Sequence, residues 1–100
     1  MKEPLSFGEG RVVQSLQGRD KGRYYIVLEP ETEGHVRIAD GLTHRLASPK
    51  KKKTKHLHAK PVLLELAALR PEGGKLQDSD LRRALEKNGF PVVHSLCKEG

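Results

Sequence analysis

Apolar positions in the first sixty residues recur in short clusters separated by glycine, proline and charge, a spacing that suits β-strands better than helices. Val12, Val13 and Leu16 open one cluster, which ends at Gly18-Arg19-Asp20-Lys21-Gly22. Arg23 to Glu29 follows, rich in β-branched and aromatic residues, and strand alternation puts Tyr24, Ile26 and Leu28 on one face. Pro30 to Gly34 is a polar, acidic turn. His35-Val36-Arg37-Ile38 then alternates cleanly, which turns Val36 and Ile38 inward. Asp40-Gly41 suits the positive φ values of a type I′ hairpin, so Leu42 to Ala47 is predicted as the returning strand, stopped by Ser48-Pro49. A final short strand takes in Lys55, Leu57 and Ala59. Four or five strands with turn signals about every 8–12 residues predict a small β-barrel, with Phe7 placed to cover one end.

Beyond Lys60 the period changes. Pro61 stands at a suitable first helical position, and Val62 to Arg70 holds strong helix formers. Its apolar residues are nearly continuous, so helix is favoured while a buried strand stays open as the alternative. Pro71-Glu72-Gly73-Gly74 ends it. A second helix is clearer. Asp78 is its expected N-cap, Asp80 favours the positive helix end, and Asn88-Gly89 supplies the stop. Leu81, Ala84 and Leu85 form its buried stripe, with Arg82, Arg83 and Glu86 outward. The expected division is therefore a β domain over 1–60 and a helical extension over 61–100, packed on or beside it. After Phe90-Pro91, Val92, Val93 and Leu96 either dock or fray.

Charge sharpens that division. The chain has 100 residues and a net charge of +6. Residues 1–60 carry 13 basic and 7 acidic side chains, whereas residues 61–100 carry 6 of each, so the whole excess lies in the β part. Arg45 to Lys60 alone holds seven basic residues, no acid, and His56 and His58. A soluble basic domain of this kind points to a polyanion, most often nucleic acid. No continuous apolar run opens the chain and none is long enough to span a bilayer, so neither a secretory signal nor a membrane partner is expected. The single cysteine, Cys97, excludes an intramolecular disulfide and a multi-cysteine zinc site, and a reducing, cytoplasmic location is the expectation.

Two segments carry the candidate chemistry. Gly18 and Gly22 allow a tight loop whose backbone N–H groups can approach a phosphate, and Arg19, Lys21 and Arg23 are interleaved with them. Asp20 opposes that charge and is expected to cap the turn through its carboxylate. Lys50, Lys51, Lys52, Lys53 and Lys55, with Arg45 and His56, form the second segment. Adjacent lysines repel one another, and phosphate contact relieves the repulsion while releasing counterions. Lysine rather than arginine suits point contacts to a phosphate backbone, so shape is the expected target rather than a short base sequence. If Tyr24 and Tyr25 lie on a strand they face opposite ways, one into the core and the other free to stack. Such a low aromatic count disfavours single-strand binding and favours structured RNA. The histidines offer solvated or phosphate-contacting imidazoles rather than a metal site, and no nucleophile–base or paired-acid constellation stands out. Neither catalysis, a cofactor, a metal nor a small-molecule substrate is expected.

Gly10 to Val27, read through Gly18-Arg19-Asp20-Lys21-Gly22-Arg23-Tyr24-Tyr25-Ile26-Val27, resembles a KOW motif. Ala39-Asp40-Gly41 and Pro49-Lys50-Lys51-Lys52-Lys53-Thr54-Lys55-His56-Leu57 follow in order, and the combination is similar to bacterial KOW-domain RNA-binding proteins related to archaeal and eukaryotic large-subunit ribosomal proteins. The match covers roughly residues 8–60, and the extension with Asp80-Leu81-Arg82-Arg83-Ala84-Leu85 also looks like the bacterial members. The resemblance implies an SH3-like barrel, mainly β with a small α part, that binds structured ribosomal RNA and takes part in translation. The rival expectation is a protein-interaction module of SH3-like type. It would dock on a ribosomal or other protein through an exposed Leu63, Leu66 and Leu69 surface.

Overall fold

A computed structural model describes residues 7–70 and 74–90. Five strands form one antiparallel sheet: β1 (Arg11–Ser15), β2 (Tyr24–Pro30), β3 (His35–Ala39), β4 (Lys50–Lys53) and β5 (Leu57–Leu63), in the order β4-β3-β2-β1-β5. A 3-10 turn over Thr54–His56 joins β4 to β5. Two helices follow, α1 (Leu66–Leu69) and α2 (Asp78–Lys87). The protein is mainly β with a small α part, as expected. The sheet, however, is not closed into a barrel, because β4 and β5 are its two edges and do not pair with each other.

Strand alternation sends apolar side chains to both faces. Val12, Ile26 and Ala39 meet Leu81 and Leu85 of α2 on one face, with Tyr24 and Leu28 alongside. Val13, Tyr25, Val27, Val36, Ile38 and Leu57 gather on the other, with Phe7 packed against them. No described helix covers that second face. Its side chains are buried all the same, and two bulges interrupt the register of the sheet. One bulge falls between Val27 and Glu29 on β2, the other on β5 between Ala59 and Leu63, opposite Arg11 to Val13.

A bulge in β5 carries that strand past Pro61. Strand β5 runs through Lys60 and Pro61 to Leu63, and the register jumps from Val13↔Ala59 to Arg11↔Leu63. Pro61 thus sits where an edge strand bulges, a position that tolerates its missing N–H. The Arg11 guanidinium donates to the Lys60 carbonyl there, at 3.2 Å. Both readings of 62–70 find a part: strand to Leu63, then one helical turn over Leu66–Leu69.

The returning strand lies later than its expected place at Leu42–Ala47. Asp40 is buried, and its Oδ1 accepts from the backbone N–H groups of Leu42, Thr43 and His44 at 2.9–3.0 Å. Those bonds hold the chain in a turn instead of a ladder. The strand that pairs with β3 is the lysine run itself, Val36↔Lys52 and Ile38↔Lys50. Lysine is a poor strand former but a common guard of exposed sheet edges, and β4 is an edge.

Helix α2 is capped differently from expectation. Gln77 is the N-cap residue, and the Asp80 carboxylate accepts from its N–H at 2.9 Å. Asp78 is instead the first helical residue, and its carboxylate accepts from the Leu46 N–H at 2.8 Å, tying the 40–49 loop to the helix. Gly41 adopts a φ of +81° and backs onto the Asp78 carbonyl so closely that a Cβ would collide with it. The Asn88-Gly89 stop and the Leu81, Ala84 and Leu85 stripe are as expected. The 71–73 terminator and the tail after Phe90, including Cys97, lie outside the described residues.

Candidate nucleic-acid interface

The β1–β2 loop is tied back to its own hairpin by backbone bonds: Gly22 N–H donates to Ser15 at 2.8 Å, Arg23 N–H to Asp20 at 3.0 Å and Lys21 N–H to Gly18 at 3.2 Å. Gly18, at φ +90°, lets the chain turn while lying close to the Asp20 carboxylate and the Lys52 ammonium. Asp20 is buried inside the loop it was expected to cap. Its Oδ1 accepts from the Ser15 hydroxyl at 2.9 Å and from Lys52 Nζ at 3.3 Å, and Lys52 also donates to the Gln17 carbonyl. Both side chains of this ion pair are only about a tenth exposed. Burial alone pushes the Asp20 carboxyl up, but the Ser15 hydrogen bond and the Lys52 charge outweigh it, and the pKa falls below its usual value.

This pair joins the two candidate segments, which lie about thirty residues apart in sequence. The loop docks on β4, and one cavity of about 330 Å³ opens at the junction. Arg19, Arg23, Lys50 and Lys52 line it, together with Tyr25, Thr43 and His44. The remaining candidates are spread around it. Lys21 is exposed on the loop, Arg45 is exposed beyond Thr43, and Lys55 and half-buried His56 lie in the 3-10 turn.

Alternation splits the lysine run. Lys50 and Lys52 share a face with Ile38 and Val36, whereas Lys51 and Lys53 share the opposite face with Arg37 and His35. On that second face the acidic β2–β3 turn answers the charge: Glu31 meets Arg37 at 2.6 Å and Lys51 at 3.7 Å. Its carboxyl is held below the usual range, by the Arg37 hydrogen bond first. Among the described residues, no carboxylate stands within salt-bridge distance of Arg19, Lys21, Arg23, Arg45, Lys50, Lys53 or Lys55. Among the described residues those seven candidates are left to meet an outside anion.

Charge counting did not single out Tyr25, Thr43 or His44. Tyr25 is the core tyrosine and is fully buried. Burial pushes its pKa up to about 12. Its hydroxyl meets no partner at hydrogen-bond geometry, and the nearby Thr43 hydroxyl donates to Asp40 Oδ2 at 2.9 Å. Asp20 Oδ2 is likewise buried without a partner. A buried polar atom left unpaired costs roughly 1–3 kcal/mol, so two at one cavity are a notable concentration. The His44 ring lies 5.6 Å from that of Tyr25, tilted by 44°. Burial and then the Lys50 charge hold its pKa below the ordinary value. Tyr24, the other tyrosine of the pair, is occupied as well: its ring is 4.9 Å from that of Phe90, and Lys60 Nζ lies 5.8 Å from its centroid.

Among the described residues no three His, Cys, Asp or Glu side chains converge on a metal position, and no helix is long and apolar enough to cross a membrane. No family model matches the chain, and no curated protein matches it.

Proposed function

We propose that this chain is an RNA-binding protein of the KOW type, with an SH3-like sheet that grips structured RNA, ribosomal RNA above all, in the course of translation. One observation carries the reading: the β1–β2 loop and β4 meet in a single surface where Arg19, Arg23 and Lys50 have no counterion among the described residues, while nearby Asp20 is already spent on Lys52. Clustered cations without acids to answer them raise the local potential and favour a phosphate backbone. The paired β1 and β2 strands with their glycine-bounded loop, and the return of β5 to β1, agree with what the KOW resemblance implies. An SH3-like assignment extends the open sheet to a barrel-like one, supported by the burial of the Val13, Tyr25 and Ile38 cluster on the face that no described helix covers.

The test is binding to folded ribosomal RNA fragments, with sedimentation alongside ribosomal subunits, at two salt concentrations. With about five phosphate contacts, affinity falls very roughly 10²–10³-fold between 50 and 200 mM salt. Replacing Arg19, Arg23, Lys50 and Lys53 with Gln abolishes most of that dependence. Lys52 is left intact because it is bound into the fold. Unchanged affinity in this variant would remove the surface assignment.

A second reading has its own support. Leu63 on edge strand β5 is 59% exposed, and α1 offers exposed Ala67 and Ala68 beside it, a surface on which a protein segment can dock. Leu66 serves the core as well, packing against the Val12 and Ile26 cluster. Free migration of the protein at every salt concentration, with Leu63→Lys abolishing capture of ribosomal proteins, would favour this reading over RNA binding.

A further inference from the structure

We infer that the cavity between the β1–β2 loop and β4 takes up one phosphate group together with one proton, the proton going to the imidazole of His44. The RNA reading supplies the phosphate, so the inference rests on it and adds a regulation to it, a grip that tightens as pH falls. Lysine and arginine as classes do not titrate near neutrality, whereas histidine does. One histidine lines this cavity, beside Arg19, Arg23 and Lys50. The fold pins it there. Its backbone N–H donates to Asp40 Oδ1 at 3.0 Å, and its carbonyl accepts from the Asp40 and Gly41 N–H groups at 2.9 and 3.1 Å. The Asp78–Leu46 bond, and one from the Arg82 guanidinium to the Gly41 carbonyl, fasten the same loop to α2.

The ring itself is unspent. It is half-buried, lies 5.6 Å from the Tyr25 ring of β2, and makes no hydrogen bond or ion pair among the described residues. Burial is the largest effect against its protonation, and Lys50 and Lys52 of β4 add to it. Asp40 on its own loop and Asp20 on the β1–β2 loop work the other way. Asp20 and Lys52 are joined to each other at 3.3 Å, so their fields largely cancel at a distance. Lys50 is the charge that then tips the ring towards neutrality. Like Arg19 and Arg23, it has no carboxylate within salt-bridge distance among the described residues. A phosphate seated against these three cations cancels that repulsion and brings a negative charge to the imidazole, which favours its protonated form. Proton and anion therefore help each other in, and linkage makes the help equal in both directions.

Two measurements test this on the full chain at constant ionic strength. In the first, the ring signals of His44 are followed by NMR between about pH 5.5 and pH 8, the window in which histidine titrates. The series is run with and without sulfate, a phosphate mimic whose charge stays constant over that window. Saturating sulfate should move the midpoint of the His44 titration to higher pH; a midpoint that stays in place or moves down overturns the inference. This series needs no variant. The second measures affinity for a folded RNA hairpin at the two ends of the window. Affinity should rise about tenfold at the lower pH, within the roughly 5–150-fold range of coupled sites, and His44→Gln should remove most of that rise. A melting curve checks that the variant folds. A rise that survives His44→Gln undiminished sinks the role of His44. Equal RNA affinity at both pH values removes the inference and leaves the RNA reading standing. A sulfate effect without any RNA binding keeps the proton-linked site for a free phosphate and removes the RNA reading, whereas the absence of both removes both.

Discussion

Lys51 and Lys52 are neighbours on β4 and each meets a carboxylate, yet the two pairs are physically unlike. Lys52 and Asp20 are each about 10% exposed and joined at 3.3 Å, with Ser15 completing the network. Lys51 is 54% exposed and stands 3.7 Å from a Glu31 that is more closely engaged by Arg37. Strand alternation alone made the difference, by turning one lysine towards the face that buries Val36 and Ile38 and the next towards solvent. The buried pair acts as a tie between a loop and an edge strand. The open pair only tempers charge. Identical residue types in one run therefore do separate jobs, and only some are free for an outside anion.

The comparison breaks most directly at Lys52. Lys52→Met leaves Asp20 buried without its countercharge, and removal of one partner from such a pair costs roughly 3 kcal/mol. In a domain whose total stability is about 5–15 kcal/mol this is a large fall in the urea midpoint. A double-mutant cycle with Asp20→Asn should show strong coupling, and the matching cycle for Glu31 and Lys51 almost none. Midpoints unchanged in Lys52→Met would mean that the pair does not anchor the loop.

Acid comes next. Asp20 and His44 both have pKa values lowered by the fold, so each contributes stability that is present above its unfolded value and lost as pH falls through the folded one. Loss should begin below pH 6.5, as His44 is charged against its burial and Lys50, and deepen below 3.8 as Asp20 takes a proton. His44→Gln should flatten the first stage and Asp20→Asn the second, in thermal melts over a pH series. The alkaline limb runs the other way. The Tyr25 pKa is raised to about 12 from 10.0, so its contribution is whole below pH 10 and lost as pH rises towards 12. Tyr25→Phe should remove that limb.

Salt sharpens the comparison at the surface. Replacing Lys50 with Gln should lower the slope of log affinity for RNA against log salt by about 0.7–0.9, the share of one phosphate contact. Lys51→Gln should change it less, because Glu31 already holds that ammonium in part. The smallest effect belongs to Glu31→Gln. It should leave the melting curve within experimental scatter and strengthen RNA binding slightly by releasing Lys51 and Arg37.

Much of this architecture was legible from the chain. Alternation at Tyr24, Ile26 and Leu28, and at Val36 and Ile38, gave the central strands and their faces, because period-two burial is local. The α2 stripe of Leu81, Ala84 and Leu85 was equally direct. The 40–49 segment was not. Its dipeptide Asp40-Gly41 fits a hairpin, but three N–H groups turn to the Asp40 carboxylate instead, and Asp78 from a distant helix takes the Leu46 N–H. A strand of four lysines was hidden for a related reason, since its pairing with β3 answers to a neighbour and not to its own propensity. The cations of the interface were visible as composition. Tyr25, Thr43 and His44 carried no charge pattern that could have marked them.

By itself the sequence determined a β-rich body with two apolar faces, a basic excess confined to its first sixty residues, and an amphipathic helix to cover one face. Those are properties of local periodicity and charge count. Tertiary structure alone decided which lysines are spent internally, where the sheet ends, and that Arg19, Arg23, Lys50 and Lys52 line one cavity. The reason is burial. Whether a charge serves the fold or an outside partner depends on what is packed against it, and in the Asp20–Lys52 pair that contact spans thirty-two residues of chain.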